Sequence, residues 1–231
     1  MKKHKNMKKQ NGYIIHSDSW RIVIATMSSQ NRKTGNMVQT WILNRRENPV
    51  KSLATGTDVR VCGDCPLRGN RGKERGCYVN VGQAPLGIWK SWESGGYQKA
   101  ESGDYGALFG GREIRFGAYG DPVHIPLPKL AAMAASSAGF TGYTHQWRNP
   151  VFKGYRQFLM ASVENERDAK KAWRRGWRTF RIAETGTDGE IECPSARGVE
   201  CRDCKLCAGN SRPAKSIFIP AHGVGANFIQ N

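Results

Sequence analysis

Residues 113–145 read EIRFGAYGDPVHIPLPKLAAMAASSAGFTGYTH and contain a strand, a helix and a second strand in succession. Glu113–Tyr119 predicts a strand that ends at Gly120-Asp121-Pro122. Pro126–Ala138 predicts a helix, because it is rich in alanine, the best helix former, and a glycine follows it. Phe140–His145 predicts the next strand. This stretch therefore indicates an α/β fold.

The same alternation continues on both sides of this stretch. Ser19–Leu43 predicts a β-hairpin whose strands are rich in β-branched residues. Further strands are predicted at 59–61, 157–163, 177–183 and 216–221, and further helices at 85–99 and 164–175. Alternation of this kind implies a parallel sheet with right-handed crossovers, either open or closed into a full or partial (β/α) barrel.

Three regions are predicted along the chain. Residues 1–12 form a basic tail that we expect to be flexible, because it is too polar to pack. Residues 13–57 hold the hairpin and a connection. Residues 58–231 form the barrel-like domain, which contains all seven cysteines. In barrels, chemistry takes place at the carboxyl ends of the strands.

The chain is strongly basic, with 36 Lys and Arg against 19 Asp and Glu and a net charge of +17 over 231 residues. Such an excess attracts polyanions, of which nucleic acid is the first expectation. No apolar run approaches the ~20 residues that cross a bilayer, and no secretory signal is recognised. We therefore expect a cytoplasmic protein with a nucleic acid partner and no membrane association. The oligomeric state is not predicted.

All seven cysteines fall into two groups set in loop-like sequence. In a reducing compartment, clustered cysteines favour metal binding over disulfides. The later group follows a C-P-x6-C-x2-C-x2-C pattern, which suits four thiolate ligands for either zinc or an iron–sulfur cluster. Ligand counting leaves both metals open. The later ligands are Cys193, Cys201, Cys204 and Cys207.

The earlier group offers only three thiolates, namely Cys62, Cys65 and Cys77. Three cysteines on a four-iron cluster leave one iron open, and three on zinc leave a catalytic position open. A strand, a three-cysteine loop ending in Cys77-Tyr78 and a second strand with GAYGDP at 117–122 resemble the radical S-adenosylmethionine enzymes over residues 58–183. The spacing departs from that family's usual C-x3-C-x2-C. A weaker likeness to phage- and plasmid-encoded proteins implies no mechanism.

By this resemblance, the earlier cysteines would hold a 4Fe–4S cluster, and Gly117, Gly120 and Asp121 would line the S-adenosylmethionine site. Asp121 is also a candidate general base. His145 and His222 are candidate proton shuttles, since each follows a predicted strand.

Three functions stay open. The first is a radical S-adenosylmethionine-like enzyme acting on a nucleic acid or a nucleotide-related substrate. The second is a zinc-stabilised nucleic-acid-binding protein without catalysis. The third is a zinc-containing base-modifying enzyme of transglycosylase type, with Asp121 as the acid–base group. The chain has none of the usual motifs of P-loop, dinucleotide-binding, zinc-protease or serine-hydrolase enzymes.

Overall fold

The computed structural model describes residues 10–29, 34–71, 73–221 and 226–228. Ten strands lie in these ranges: β1 (Gly12–Ser17), β2 (Arg21–Thr26), β3 (Val38–Asn44), β4 (Gln98–Lys99), β5 (Glu113–Tyr119), β6 (Gly139–Thr144), β7 (Met160–Val163), β8 (Thr179–Ile182), β9 (Glu190–Glu192) and β10 (Ser216–Ile219). The helices in the same ranges, apart from short 3₁₀ turns, are α1 (Pro49–Thr55), α2 (Val59–Cys62), α3 (Ala84–Glu93), α4 (Tyr105–Phe109), α5 (Leu127–Ser136), α6 (Glu166–Arg174) and α7 (Cys201–Cys204).

These strands form one sheet in the order β4-β1-β2-β3-β5-β6-β7-β8-β10-β9. The pairs β1–β2 and β2–β3 are antiparallel, and every other neighbouring pair is parallel. The α/β class and the mostly parallel sheet are confirmed. The sheet is open within the described residues, with β4 and β9 at its edges, so a fully closed barrel is not formed.

The predicted hairpin is present as β2 and β3. Ile24 pairs with Trp41 in its register, and the Trp41 indole Nε1 donates a hydrogen bond to Thr26 Oγ1 at 2.9 Å. β3 also pairs with β5, so the hairpin belongs to the same sheet as the parallel strands. β1 was not predicted, and its first residue, Gly12, was assigned to the tail. The first nine residues of that tail lie outside the described part of the chain.

The predicted strand at 59–61 is wrong, because Val59–Cys62 is the helical turn α2. The Cys62 amide donates to the Asp58 carbonyl at 2.9 Å, and Gly63, with φ of 56°, ends the turn. Val61 is fully buried, so core packing outweighs the strand preference of its β-branched side chain. The first parallel strand is therefore β3.

The other predicted strands and helices are present with shifted ends. β5 has the predicted bounds, whereas α5 ends before Gly139, which is instead the first residue of β6. β9 was missed because three residues give too short a pattern. A main apolar core packs around the sheet, and a second cluster is built on Met160, Cys207 and Ile217. No described helix is long and apolar enough to span a bilayer.

Candidate metal and active site

The loop that follows β5 places a buried carboxylate at the carboxyl edge of the sheet. Asp121 Oδ2 accepts hydrogen bonds from Thr144 Oγ1 and the His145 amide, both at 3.0 Å. Asp121 Oδ1 accepts from the Val123 amide at 3.2 Å. These bonds join the ends of β5 and β6, so Asp121 has a structural role whatever else it does.

Two glycines bring the backbone close together at this loop. Gly117 has φ of 72°, and a Cβ atom there would lie 2.8 Å from Pro122 Cδ. Gly120 has φ of 75°, and its Cβ would lie 2.7 Å from Ile42 Cβ and 2.8 Å from the Ile42 carbonyl oxygen. Positive φ and these contacts both require glycine. The tight turn also leaves room above the strand end.

A cavity of about 220 Å³ lies over this strand end. Its lining includes Gly117, Gly120 and Asp121, and residues from all five strands β5, β6, β7, β8 and β10. The cavity thus spans five neighbouring strands of the sheet. The lining side chains contributed by those strands include Arg115, Tyr143, Ser162, Phe180, Ile182 and Ile219.

The earlier cysteines line one side of this cavity. Cys62 ends α2, and the Asp121 amide donates to the carbonyl of the preceding Val61 at 2.7 Å. The Cys65 amide donates to the Cys62 carbonyl at 3.3 Å, which fixes a tight turn between the two thiols. Cys77 reaches the same cavity from the end of the loop. The three predicted ligands therefore face Asp121.

His145 joins this group from the end of β6. Its Nε2 lies 4.0 Å from Cys65 Sγ and 2.9 Å from Glu164 Oε1. Burial lowers the pKa of His145, but Cys65 and Glu164 outweigh burial and raise that pKa to about 10. The imidazole is therefore held protonated between a sulfur and a carboxylate.

Burial governs the other titrating groups of the site. It raises the pKa of the Cys62 thiol well above its usual value and also raises the pKa of Cys77. Burial raises the pKa of Asp121 as well, against the opposing effect of the hydrogen bonds that Asp121 accepts. A buried carboxyl group with a raised pKa in a cavity is a candidate proton donor or acceptor.

Two of the later cysteines also line this cavity. The Cys193 amide donates to the Phe218 carbonyl of β10 at 2.8 Å, and α7 presents Cys201 and Cys204. Cys193 and Cys201 line the same cavity as the earlier cysteines. Cys207 is buried, and burial raises its pKa to about 12 against the opposing hydrogen bond from Tyr143.

The two groups are near each other, but neither is arranged as a ready metal-ion cage. Among the described residues, no three His, Cys, Asp or Glu side chains converge at the distances that a metal ion requires. None of the seven cysteines forms a disulfide bond.

Aromatic and cationic side chains also line the cavity. The Arg115 guanidinium donates to Tyr78 Oη and lies 5.5 Å from the centre of the Tyr143 ring. The Tyr143 and Phe180 rings are 4.5 Å apart. These residues were not predicted, because their proximity depends on the order of the strands in the sheet and not on sequence spacing.

Of the predicted site residues, all three earlier cysteines, Asp121 and His145 lie together. His222 lies outside the described residues. Glu164 was missed as a site residue, because its position before α6 suited a helix start. The feature that could have identified Glu164 is the short strand β7, which ends just before it and places it beside the end of β6. No family model, no curated protein and no solved structure matches this chain.

Proposed function

We propose that this protein is a metal-dependent enzyme with an iron–sulfur cluster on Cys62, Cys65 and Cys77, and that it uses S-adenosylmethionine on a nucleic acid or nucleotide-related substrate. One observation carries this proposal. Three thiols face the glycine turn at 117–121 across one cavity at the carboxyl edge of a parallel sheet.

The strand topology supports the resemblance once β3 is taken as the first parallel strand. The sheet contains six consecutive parallel strands, β3, β5, β6, β7, β8 and β10. Counted from β3, the loop with the earlier cysteines follows the first parallel strand, and the GAYGDP turn ends the second. This is the order of a partial (β/α) barrel with a cluster loop after its first strand, and it replaces the first strand that the sequence predicted at 59–61.

The donors present suit a cluster. Three thiols leave one iron open to a further ligand, and a four-iron cluster is wider than a single ion, so its cysteines stand farther apart than zinc ligands. A zinc ion needs its sulfurs ~2.3 Å from one point. When bound, the cluster would supply an electron and an open coordination position.

The remaining side chains have roles that need no metal. Gly117 and Gly120 let a ligand approach the backbone of the turn. Asp121 would accept hydrogen bonds from the ligand or exchange a proton with it. Glu164 holds His145 Nε2 at 2.9 Å, so the protonated imidazole is a hydrogen-bond donor beside Cys65.

The later group would hold zinc or a second cluster through Cys193, Cys201, Cys204 and Cys207. Its position beside β10 and its own apolar cluster support a stabilising role. A Cys-rich metal loop near the carboxyl terminus is thus part of the proposal.

One observation favours a second candidate, a zinc enzyme of base-modifying type. Asp121 is a buried carboxyl group with a raised pKa in a cavity, which suits an acid–base group. The 4.0 Å separation of Cys65 and His145 would also suit neighbouring zinc ligands. Against it, His145 Nε2 forms an ion pair with Glu164 Oε1 at 2.9 Å, and a zinc ligand would have to be the neutral imidazole.

The test is S-adenosylmethionine binding to protein purified without oxygen, measured by calorimetry. The proposal predicts saturable binding that Cys65→Ser abolishes. The matched control, Cys193→Ser, removes one thiol from the later group and should still bind when measured well below its melting temperature. Equal binding by wild type and Cys65→Ser, or no binding by metal-loaded wild type, would contradict the proposal.

A further inference from the structure

A stack of two arginines on one tryptophan lies near the cavity. The guanidinium carbons of Arg46 and Arg60 are each 3.5 Å from the centre of the Trp20 ring. Two cations at this distance cannot share one face of the ring, so they cover opposite faces and stand about 7 Å apart. Each gains a cation–π contact worth about 0.5–1 kcal/mol at an exposed site.

The stack is held by its neighbours. Asp18 Oδ1 accepts from the Trp20 and Arg21 amides, both at 2.7 Å. Arg21 Nε donates to the Arg60 carbonyl at 2.6 Å, which ties β2 to α2. Arg45 Nη1 donates to the Asp18 carbonyl at 2.8 Å. The positions of these cations are therefore set before any ligand arrives.

Three of these cations have no acidic partner. Within the parts of the chain that the structure describes, Arg45, Arg46 and Arg60 have no carboxylate within the 4.0 Å of an ion pair. Arg45 and Arg46 are exposed to solvent. Two like charges about 7 Å apart repel by about 0.6 kcal/mol in water and by more near a protein surface. Bound anions would remove that repulsion.

These arginines lie at the same edge of the sheet as the cavity. Arg45 and Arg46 follow the carboxyl end of β3, and β3 runs parallel to β5, which ends at the GAYGDP turn. Arg60 precedes Val61, whose carbonyl accepts from the Asp121 amide, and Cys62, which lines the cavity. A ligand that spans the stack and the cavity would follow this edge.

We infer that Arg45, Arg46 and Arg60 around Trp20, the arginine cluster, bind the phosphodiester backbone of a nucleic acid strand. This inference rests on the proposed nucleic acid substrate and names the surface that holds it. Arginine suits this task because its planar fork pairs with phosphate oxygens. Each phosphate contact releases a counterion, so binding would weaken as salt rises.

The arginine cluster would contact the nucleic acid backbone and not the bases. Both faces of Trp20 are covered by guanidinium groups, so no base can stack on that ring. Phosphate contacts set position without sequence information. Selection of a base is therefore left to the cavity, where Tyr143 and Phe180 offer aromatic surface.

The test is binding of fluorescent 20-nucleotide DNA and RNA strands to the full chain over a salt series. Arg46→Ala with Arg60→Ala should weaken binding at least about tenfold near 100 mM salt and lower the salt slope by about two. Arg46→Lys with Arg60→Lys should restore part of the slope, which separates charge from folding. The matched control, Arg167→Ala with Arg174→Ala, removes two exposed charges from α6 and should leave the slope unchanged.

Tighter binding of DNA or of RNA would identify the strand, and either supports the inference. An equal loss in the α6 control, unchanged binding in the cluster variant, or binding only to phosphatidylserine vesicles would overturn it. Iron and zinc are measured on the same samples. Protein that lacks metal but still binds the nucleic acid strand would count against the proposed enzyme alone. Protein that retains metal but does not bind the nucleic acid strand would count against the inference alone.

Discussion

The two cysteine groups both contribute to the lining of one cavity but lie in different surroundings. Cys62, Cys65 and Cys77 sit on a short turn and a loop, facing the glycine turn and His145. Cys193 bonds to β10, and Cys207 packs with Met160 and Ile217 in an apolar cluster. The earlier group lines the cavity and the later group packs against the strands, so the proposal gives the earlier group a ligand-binding role and the later group a stabilising role.

Both groups consist of cysteines, so this difference lets variants separate an effect on ligand binding from an effect on stability. A thiol whose loss damages the fold should lie in the later group, and a thiol whose loss damages only ligand binding should lie in the earlier group. Metal in both groups would not change this assignment. Variants can therefore test the contrast before the reaction is identified.

The largest expected effect is Cys207→Ser. Loss of a buried ligand from the proposed structural metal site should lower the free energy of unfolding by about 4 kcal/mol and the melting temperature by roughly 10 °C. The control is Cys65→Ser, which should shift the melting temperature far less. Thermal unfolding monitored by circular dichroism measures both melting temperatures. Equal shifts would contradict the proposed contrast between the two groups.

A second variant tests what supports the later group. Arg181 pairs with Glu190, a fully buried side chain that also accepts from the Thr187 amide at 3.1 Å. Glu190→Gln would leave Arg181 buried without its charge partner and should cost about 3 kcal/mol. The exposed pair of Lys170 and Glu166 supplies the control, since Glu166→Gln should leave the melting temperature unchanged. Two similar curves would show that the region around β9 is not rigid.

A third variant tests the turn that faces the earlier group. Gly120→Ala would place a methyl group against Ile42 at positive φ and should cost about 2 kcal/mol. Gly87 lies inside α3 with nothing within 4 Å of a Cβ there, so Gly87→Ala should be neutral or stabilising. Denaturant unfolding measures both. A Gly120→Ala variant as stable as wild type would mean that the turn is not closely packed.

The smallest expected effect is a pH dependence unrelated to either cysteine group. Burial, and then Arg21, lower the pKa of His124 to about 4 from its usual 6.5, against Asp18. The unfolded chain binds this proton first, so stability is full above pH 6.5 and falls as pH drops toward 4. By pH 5.5 the loss is about 1 kcal/mol.

Comparison with His124→Gln isolates that loss. Wild type should lose about 1 kcal/mol more than the variant between pH 7.5 and 5.5 in urea unfolding. Acid also displaces metal from thiolates, and subtraction of the His124 part leaves the metal-linked part. Parallel curves for the two proteins would rule out His124 as a source of the loss.

The sequence was most informative where local pattern and tertiary role agree. β5 has its predicted bounds because Glu113–Tyr119 combines strand formers with a turn that only glycine permits. The strand predicted at 59–61 was wrong, because the β-branched Val61 there packs into the core from a helical turn. His145 and Asp121 were found as strand ends, whereas Glu164, Arg115 and the arginine cluster depend on strand order, which spacing does not reveal.

Metal analysis with an absorption spectrum, on protein purified without oxygen, tests the central claim most directly. The account predicts a brown protein that absorbs broadly near ~400 nm, as iron–thiolate clusters do. Cys65→Ser should lose about four irons per chain relative to wild type and keep its fold. A colourless protein with zinc alone, or a Cys65→Ser variant with unchanged iron, would contradict it.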